Sequence, residues 1–255
     1  MLGAIAGDII GSIYEINNIK TKEFELLTED CFFTDDTILT VALADAILND
    51  RDYGVVMREY YLRYPNAGYG GSFHQWALDS EMGPYNSWGN GSAMRTSPVG
   101  YAFDDLDSVI EMAGHYASFT HNHPEGIKGA QSVSSAIFLA RNGATKQEIK
   151  EMIIDKFDYH LSFSLDEIRP SYRFDVSCKG TVPQAIVSFL ESENYEDAIR
   201  NAISIGGDSD TLACITGSIA EAYYSEVPQR ISRKALAILD DRLSSVLKQF
   251  YEKFI

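Results

Sequence analysis

Apolar residues recur at three- and four-residue spacing along most of the chain. That period predicts helices over residues 38–49, 55–64, 107–118, 127–141, 145–157, 183–191, 195–205, 211–224 and 232–254. Strand-like alternation is scarce, so the pattern predicts an all-α fold. Between residues 160 and 182 the period lapses into an irregular polar stretch. This reads as a loop or insertion inside one domain spanning 1–255, because no Gly/Ser- or Pro-rich linker divides the chain. Two helices carry small residues on one face: Gly3, Gly7 and Gly11 at every fourth position of the first, and Ala213, Gly217 and Ala220 in the helix over 211–224. Small faces let backbones approach closely, which places both helices at the centre of the bundle.

Composition narrows the function classes. A chain of 255 residues, 45% hydrophobic, can bury one substantial core. With 21 basic against 37 acidic residues and a net charge of −16, it has no electrostatic footprint for gripping nucleic acid or an anionic membrane. Anionic small ligands would instead be received by backbone amides or metal ions. Cys31, Cys178 and Cys214 lie far apart and fit neither a disulfide framework nor a zinc pattern, which implies a reducing compartment. The opening MLGAIAGDIIGSIYE is apolar but interrupted by Asp8 and carries no basic leader. It reads as neither signal peptide nor spanning helix, and a cytoplasmic location is expected.

Two acidic clusters stand directly before predicted helices: Thr34, Asp35, Asp36 and Thr37 in "TDDT", and Asp208, Asp210 and Thr211 in "GGDSDT". Taken singly, each is accounted for by helix capping and by the positive end of the helix dipole. Taken together they offer the hard oxygen ligands that Mg²⁺ or Mn²⁺ prefers, and four packed aspartates without a cation would repel one another. Glu15, following the glycine-faced helix, is a candidate fifth carboxylate; alone it would read as a surface residue. "NAGYGGSF" (66–73) can present successive amides to a phosphate. "YNSWGNGSAMR" (85–95) sets Tyr85 and Trp88 beside Gly89, Asn90 and Gly91, a combination suited to a purine or ribose. Alone, both would read as ordinary turns. In "THNHPEGIKGAQ" (120–131), His121 and His123 precede Pro124 at a helix start. No third nitrogen or sulfur ligand accompanies them, so they read as hydrogen-bonding groups or a cap rather than a zinc site.

"GDIIGSIYE", "TDDT", "GNGSAMR", "THNHPEGIKGA" and "GGDSDT", in this order and spacing, resemble the ADP-ribosylglycohydrolase family over essentially the whole chain. The resemblance implies an all-α orthogonal multi-helix bundle whose central cleft holds two Mg²⁺ or Mn²⁺ ions. Thr34, Asp35, Asp36, Asp208, Asp210 and Thr211 match the family's metal ligands, with Asp210 bridging. Glu15 matches the glutamate that some members carry on a mobile segment over the site, where it touches a metal or positions the reacting group. Gly68, Tyr69, Gly70 and Gly71 correspond to a diphosphate cradle, Ser87, Trp88, Asn90 and Gly91 to the lining of the ADP-ribose channel, and His121 to a histidine contacting ADP-ribose. Met94 and Arg95 read as structural.

The expected reaction is hydrolysis of the bond between the anomeric carbon of ADP-ribose and an acceptor on an ADP-ribosylated protein or a small ADP-ribose conjugate. Nucleic acid enters only as a modified substrate. Glu15, or one of Asp35, Asp36 and Asp210, would take the proton from water. Two other readings stay open at this point: a metal-dependent phosphohydrolase of ADP-ribose-like nucleotides, and a non-catalytic ADP-ribose-binding protein.

Overall fold

The computed structural model describes residues 1–255. In chain order the helices are α1 (Leu2–Ile16), α2 (Asp35–Asn49), α3 (Tyr53–Arg63), α4 (Gly71–Leu78), α5 (Gly91–Met94), α6 (Ser97–Ala102), α7 (Leu106–Ser118) and α8 (Pro124–Arg141). Then come α9 (Lys146–Phe157), α10 (Leu165–Ile168), α11 (Cys178–Leu190), α12 (Tyr195–Ser204), α13 (Ser209–Tyr224), α14 (Gln229–Ile238) and α15 (Asp241–Phe254). The one β-type pairing is an isolated antiparallel bridge between Gly89 and Ser177. No helix is long and apolar enough to cross a membrane.

The two largest departures from the predicted boundaries have local causes. The helix expected over 232–254 is split into α14 and α15, because the Asp240 carboxylate accepts the Leu243 amide at 2.9 Å and starts a new helix there. Helix α11 begins at Cys178 rather than 183, because Ser177 Oγ accepts the Gly180 amide at 2.9 Å. Helices α4, α5, α6 and α10 are too short to show a clear 3.6-residue period.

Sixty-eight buried apolar residues form one continuous core cluster. At its centre α1 and α13 run antiparallel with almost no side chain between them. A Cβ on Gly7 would stand 2.1 Å from the Ala213 carbonyl oxygen, one on Gly217 2.2 Å from the Gly3 carbonyl oxygen, and one on Gly11 2.5 Å from Asp210 Cα. This seam delivers the C-terminal end of α1 to the N-terminal end of α13. Gly7→Val therefore forces the two backbones apart. A loss of about 3 kcal/mol or more is expected, the upper range for overpacking, measured by denaturant unfolding; an unchanged midpoint would refute the seam.

Candidate active site

The two acidic clusters meet. Thr211 Oγ1 donates to Asp36 Oδ2 at 3.3 Å, joining residues 175 apart in sequence. Thr34 caps α2, its hydroxyl accepting the Asp36 amide at 3.3 Å, and Asp35 and Asp36 occupy the first turn. Asp208 stands at the N-cap position of α13 without capping it through its side chain, and Asp210 lies in that helix's first turn. Positive φ at Gly206 (68°) and Gly207 (84°) turns the chain into α13. A side chain on Gly207 would collide with Tyr172, 2.5 Å away. Asn18 clamps this turn, donating to the Gly207 carbonyl at 3.0 Å and accepting its amide. Since α1 ends beside α13, one carboxylate oxygen each from Glu15, Asp208 and Asp210 lies within 4.8 Å of the others.

Sequence reasoning missed Asp8 as a site organiser. It is fully buried in α1 and accepts four hydrogen bonds. They come from the Thr34 amide at 3.0 Å, Thr34 Oγ1 at 2.7 Å, the Thr37 amide at 3.1 Å and Thr37 Oγ1. Asp8 thus ties the start of α2 to the central helix. Its signal was the lone acid in a glycine-faced apolar helix, since a buried carboxylate requires several donors.

A cleft of about 620 Å³ opens over these carboxylates. Thr34, Asp35, Asp36, Asp208, Asp210, Thr211 and Glu15 line it, as do Gly68, Gly70, Gly71, Ser87, Asn90, Gly91 and His121. The Asp35 amide donates to the Ala67 carbonyl at 2.8 Å, anchoring the glycine loop against α2. A Cβ on Gly68 would lie 3.6 Å from Asp35 Oδ1, whereas Gly70 and Gly71 face open space. Asn90 is buried, its amide donating to Asp208 Oδ2 at 2.7 Å and to Thr181 Oγ1 at 3.1 Å, so it also holds the second acidic cluster in place.

Two expected lining residues are placed elsewhere. The Tyr69 ring stacks on Phe73 at 5.2 Å and turns into an aromatic group with Tyr61, so only its backbone belongs to the loop. Trp88 is 52% exposed and lies outside the cleft lining, its carbonyl accepting the Cys178 amide at 3.0 Å. Pairing with Ser177 turns that segment's other residues, Ser87 and Gly89, toward the cleft. Conversely, Phe174 and Val176, from the stretch read as a loop or insertion, form part of the cleft wall. Two apolar residues in a polar stretch were the available signal.

Crowded negative charge dominates the electrostatics. Burial, then neighbouring carboxylates, pushes Asp36 and Asp210 well above the ordinary aspartate range. Asp35 is raised to about 7 by burial, opposed by the Arg95 guanidinium. Glu15 is raised by burial and by the charges of Asp208 and Asp8. His121 is buried with Nδ1 2.7 Å from Thr120 Oγ1, and burial beside Arg95 holds its pKa far below the ordinary value. It is therefore neutral at physiological pH.

The residues fit divalent cations. Asp36 Oδ1 is buried with no hydrogen-bond partner, an orphaned anionic oxygen that a hard cation satisfies. The surrounding donors are carboxylate and hydroxyl oxygens, and Thr34 Oγ1 keeps a lone pair after accepting the Asp36 amide.

An all-α bundle with paired Asp/Thr helix starts at the floor of a cleft fits the class of glycosidic-bond hydrolases that the sequence motifs resemble. The entire chain, residues 1–255, matches the ADP-ribosylglycohydrolase family. The chain belongs to this family and is an enzyme of that class. Among its relatives is ADP-ribosylhydrolase ARH3 of Xenopus tropicalis, 27% identical, with 89% of this chain and 86% of the relative covered. The Homo sapiens ARH3 is 24% identical, with 90% and 86% covered. ADP-ribosylarginine hydrolase Tri1 of Pseudomonas putida is 26% identical over 88% of this chain and 69% of its own length. A solved ADP-ribosylglycohydrolase-related protein complex shares the fold, with a TM-score of 0.70 at 23% identity, covering 98% of this chain and 96% of the other.

Proposed function

We propose that the protein hydrolyses the bond joining the anomeric ribose carbon of ADP-ribose to a nitrogen or oxygen of an acceptor. The acceptor is a protein side chain, such as arginine or serine, or a small conjugate. The observation that carries this reading is the convergence of "TDDT" and "GGDSDT", linked by the Thr211–Asp36 hydrogen bond, beneath a cleft walled by the glycine loop. Thr34, Asp35, Asp36, Asp208, Asp210 and Thr211 would hold two Mg²⁺ or Mn²⁺ ions. When bound, these ions supply Lewis-acid stabilisation of charge. The amides of Gly68, Gly70 and Gly71 receive the diphosphate, and Asn90 fixes Asp208.

Glu15 sits within reach of Asp208 and Asp210, and its raised pKa suits it to accept a proton from the attacking water. Water oxygen bonds to the anomeric carbon, the bond to the acceptor breaks, and the acceptor leaves with a proton. The products are free ADP-ribose and the unmodified acceptor.

A panel of defined ADP-ribosylated substrates, scored for free ADP-ribose with Mg²⁺, Mn²⁺ or EDTA, tests the reading. Expected is divalent-dependent release from at least one conjugate; no turnover on any linkage would refute it. Release of AMP instead would identify pyrophosphate cleavage, the phosphohydrolase alternative.

A further inference from the structure

Helix α1 ends at Ile16, one residue past Glu15, and the carbonyls of its last turn have no partner within the helix. Two asparagines take them. Asn17 Nδ2 donates to the Ile13 carbonyl at 3.3 Å, and Asn18 Nδ2 donates to the Tyr14 carbonyl at 2.7 Å and the Glu15 carbonyl at 2.8 Å. The same Nδ2 reaches the Gly207 carbonyl at 3.0 Å, while Asn18 Oδ1 accepts the Gly207 amide. One side chain therefore grips the backbone of Glu15 on one side and the backbone next to Asp208 on the other. Donor and acceptor are both in use, so a carboxamide fits where a carboxylate, with no N–H, would face three carbonyls.

The segment beyond is fastened as well. Lys20 Nζ donates to the Tyr172 carbonyl at 2.8 Å and to the Ile205 carbonyl. Lys22 pairs with Asp197 at 2.5 Å, and Arg200 Nη1 donates to the Lys22 and Phe24 carbonyls at 2.9 and 2.8 Å. These bonds oppose a force. Carboxylate oxygens of Glu15, Asp208 and Asp210 lie within 4.8 Å of one another, and like charges at that range push apart. Glu15 is the one of the three at a helix C-terminal end, where the negative end of the dipole adds to the repulsion. Left untied, the end of α1 would carry Glu15 outward.

We propose that Asn18 is a positioning residue for hydrolysis: by joining the end of α1 to the Gly206–Gly207 turn, it holds the Glu15 carboxylate against Asp208 and Asp210. Glu15 is thereby in place before substrate arrives, rather than delivered by closure of a mobile segment. The inference deepens the functional reading above and rests on it for what Glu15 does there. Asn18 itself is exposed, so removing its side chain opens no cavity in the core.

Steady-state kinetics at saturating Mn²⁺ on a hydrolysed conjugate test the proposal, comparing wild type, Asn18→Ala, Asn18→Gln, Glu15→Gln and the double variant Asn18→Ala with Glu15→Gln. Amide hydrogen exchange by mass spectrometry on the metal-free proteins and melting temperature are followed in parallel. Asn18→Ala is expected to lose kcat by roughly 10- to 100-fold, the scale of a reacting group displaced by about 1 Å. KM should stay within about twofold, because no contact to bound substrate is removed. In the Glu15→Gln background the same substitution should cost less than about twofold further, since it acts through a carboxylate already gone. Asn18→Gln should recover part of the loss, because it keeps donor and acceptor on a longer stem. Peptides covering residues 13–20 and 205–209 should exchange faster in Asn18→Ala, with α15 unchanged.

Unchanged exchange at both peptides overturns the clamp. An equal kcat loss in the Glu15→Gln background, or a raised KM with kcat intact, overturns the proposal by making Asn18 structural. If wild type turns over a conjugate and Asn18→Ala does so equally well, the hydrolase reading stands and this one falls. Faster exchange at both peptides without turnover by wild type on any linkage reverses that outcome: the clamp on Glu15 stands and the hydrolase reading falls.

Discussion

Asp210→Asn should remove glycohydrolase activity while leaving a folded protein. Asp210 lies in the first turn of α13, buried, with Asp36, Asp208, Asp8 and Glu15 as its charged neighbours. Asparagine keeps the volume but loses the negative charge and replaces one acceptor oxygen with a carboxamide N–H donor in a cluster of acceptors. Loss of activity by roughly 10²–10³-fold or more is expected, the range that follows removal of one electrostatic stabiliser at a reacting centre. The repulsion among the remaining carboxylates also falls, so the metal-free variant should melt no lower than metal-free wild type. Activity assays, Mn²⁺ calorimetry and circular dichroism read the three parts separately. Wild-type activity would remove Asp210 from the chemistry, and a collapsed fold would recast it as structural.

The second large effect is on stability against pH. In the unfolded chain aspartates release their protons near 3.8, whereas Asp35 retains its proton to about 7 in the fold, and Asp36 and Asp210 are shifted the same way. Across that window the folded state binds more protons than the unfolded state, so stability falls as pH rises. Asp240, whose pKa is depressed in the fold, contributes in the opposite sense but titrates below this window, whereas His121, held neutral in the fold, opposes the trend as pH rises toward its ordinary value of 6.5, one group against three aspartates. Metal-free protein should therefore melt lower at about pH 8 than at about pH 5. Saturating Mn²⁺ should restore on the order of 5 °C or more at the higher pH and little at the lower, because the cation competes with protons for the same oxygens. EDTA-treated protein equally stable at both pH values would contradict the crowding of these carboxylates.

The helical architecture was legible because long amphipathic helices declare a 3.6-residue period, and caps such as Thr34 sit where local chemistry requires them. The seam was legible too: Gly3, Gly7 and Gly11 announced a close approach, and Gly217 supplied the opposing face. What pattern could not show was direction. Nothing local tells that the Tyr69 ring turns toward Phe73, or that Trp88 faces outward while Ser87 faces the cleft; pairing with Ser177 decides that. Asp8 was visible but read only as an interruption of an apolar segment. Its role depends on donors from Thr34 and Thr37, which only tertiary packing brings within reach.

The central seam also governs how the molecule is made. Helix α1 has its main partner in α13, and the Gly3 amide reaches Glu221 across 218 residues. At translation rates of roughly 5–20 residues per second, α1 waits about 10–40 s after emerging before that partner exists. Such a high contact order predicts slow assembly, with α2 to α12 collapsing around an unfilled slot. The acidic clusters would then come together in one of the last steps of folding, and a nascent chain arrested before α13 would lack the bond between Thr211 and Asp36.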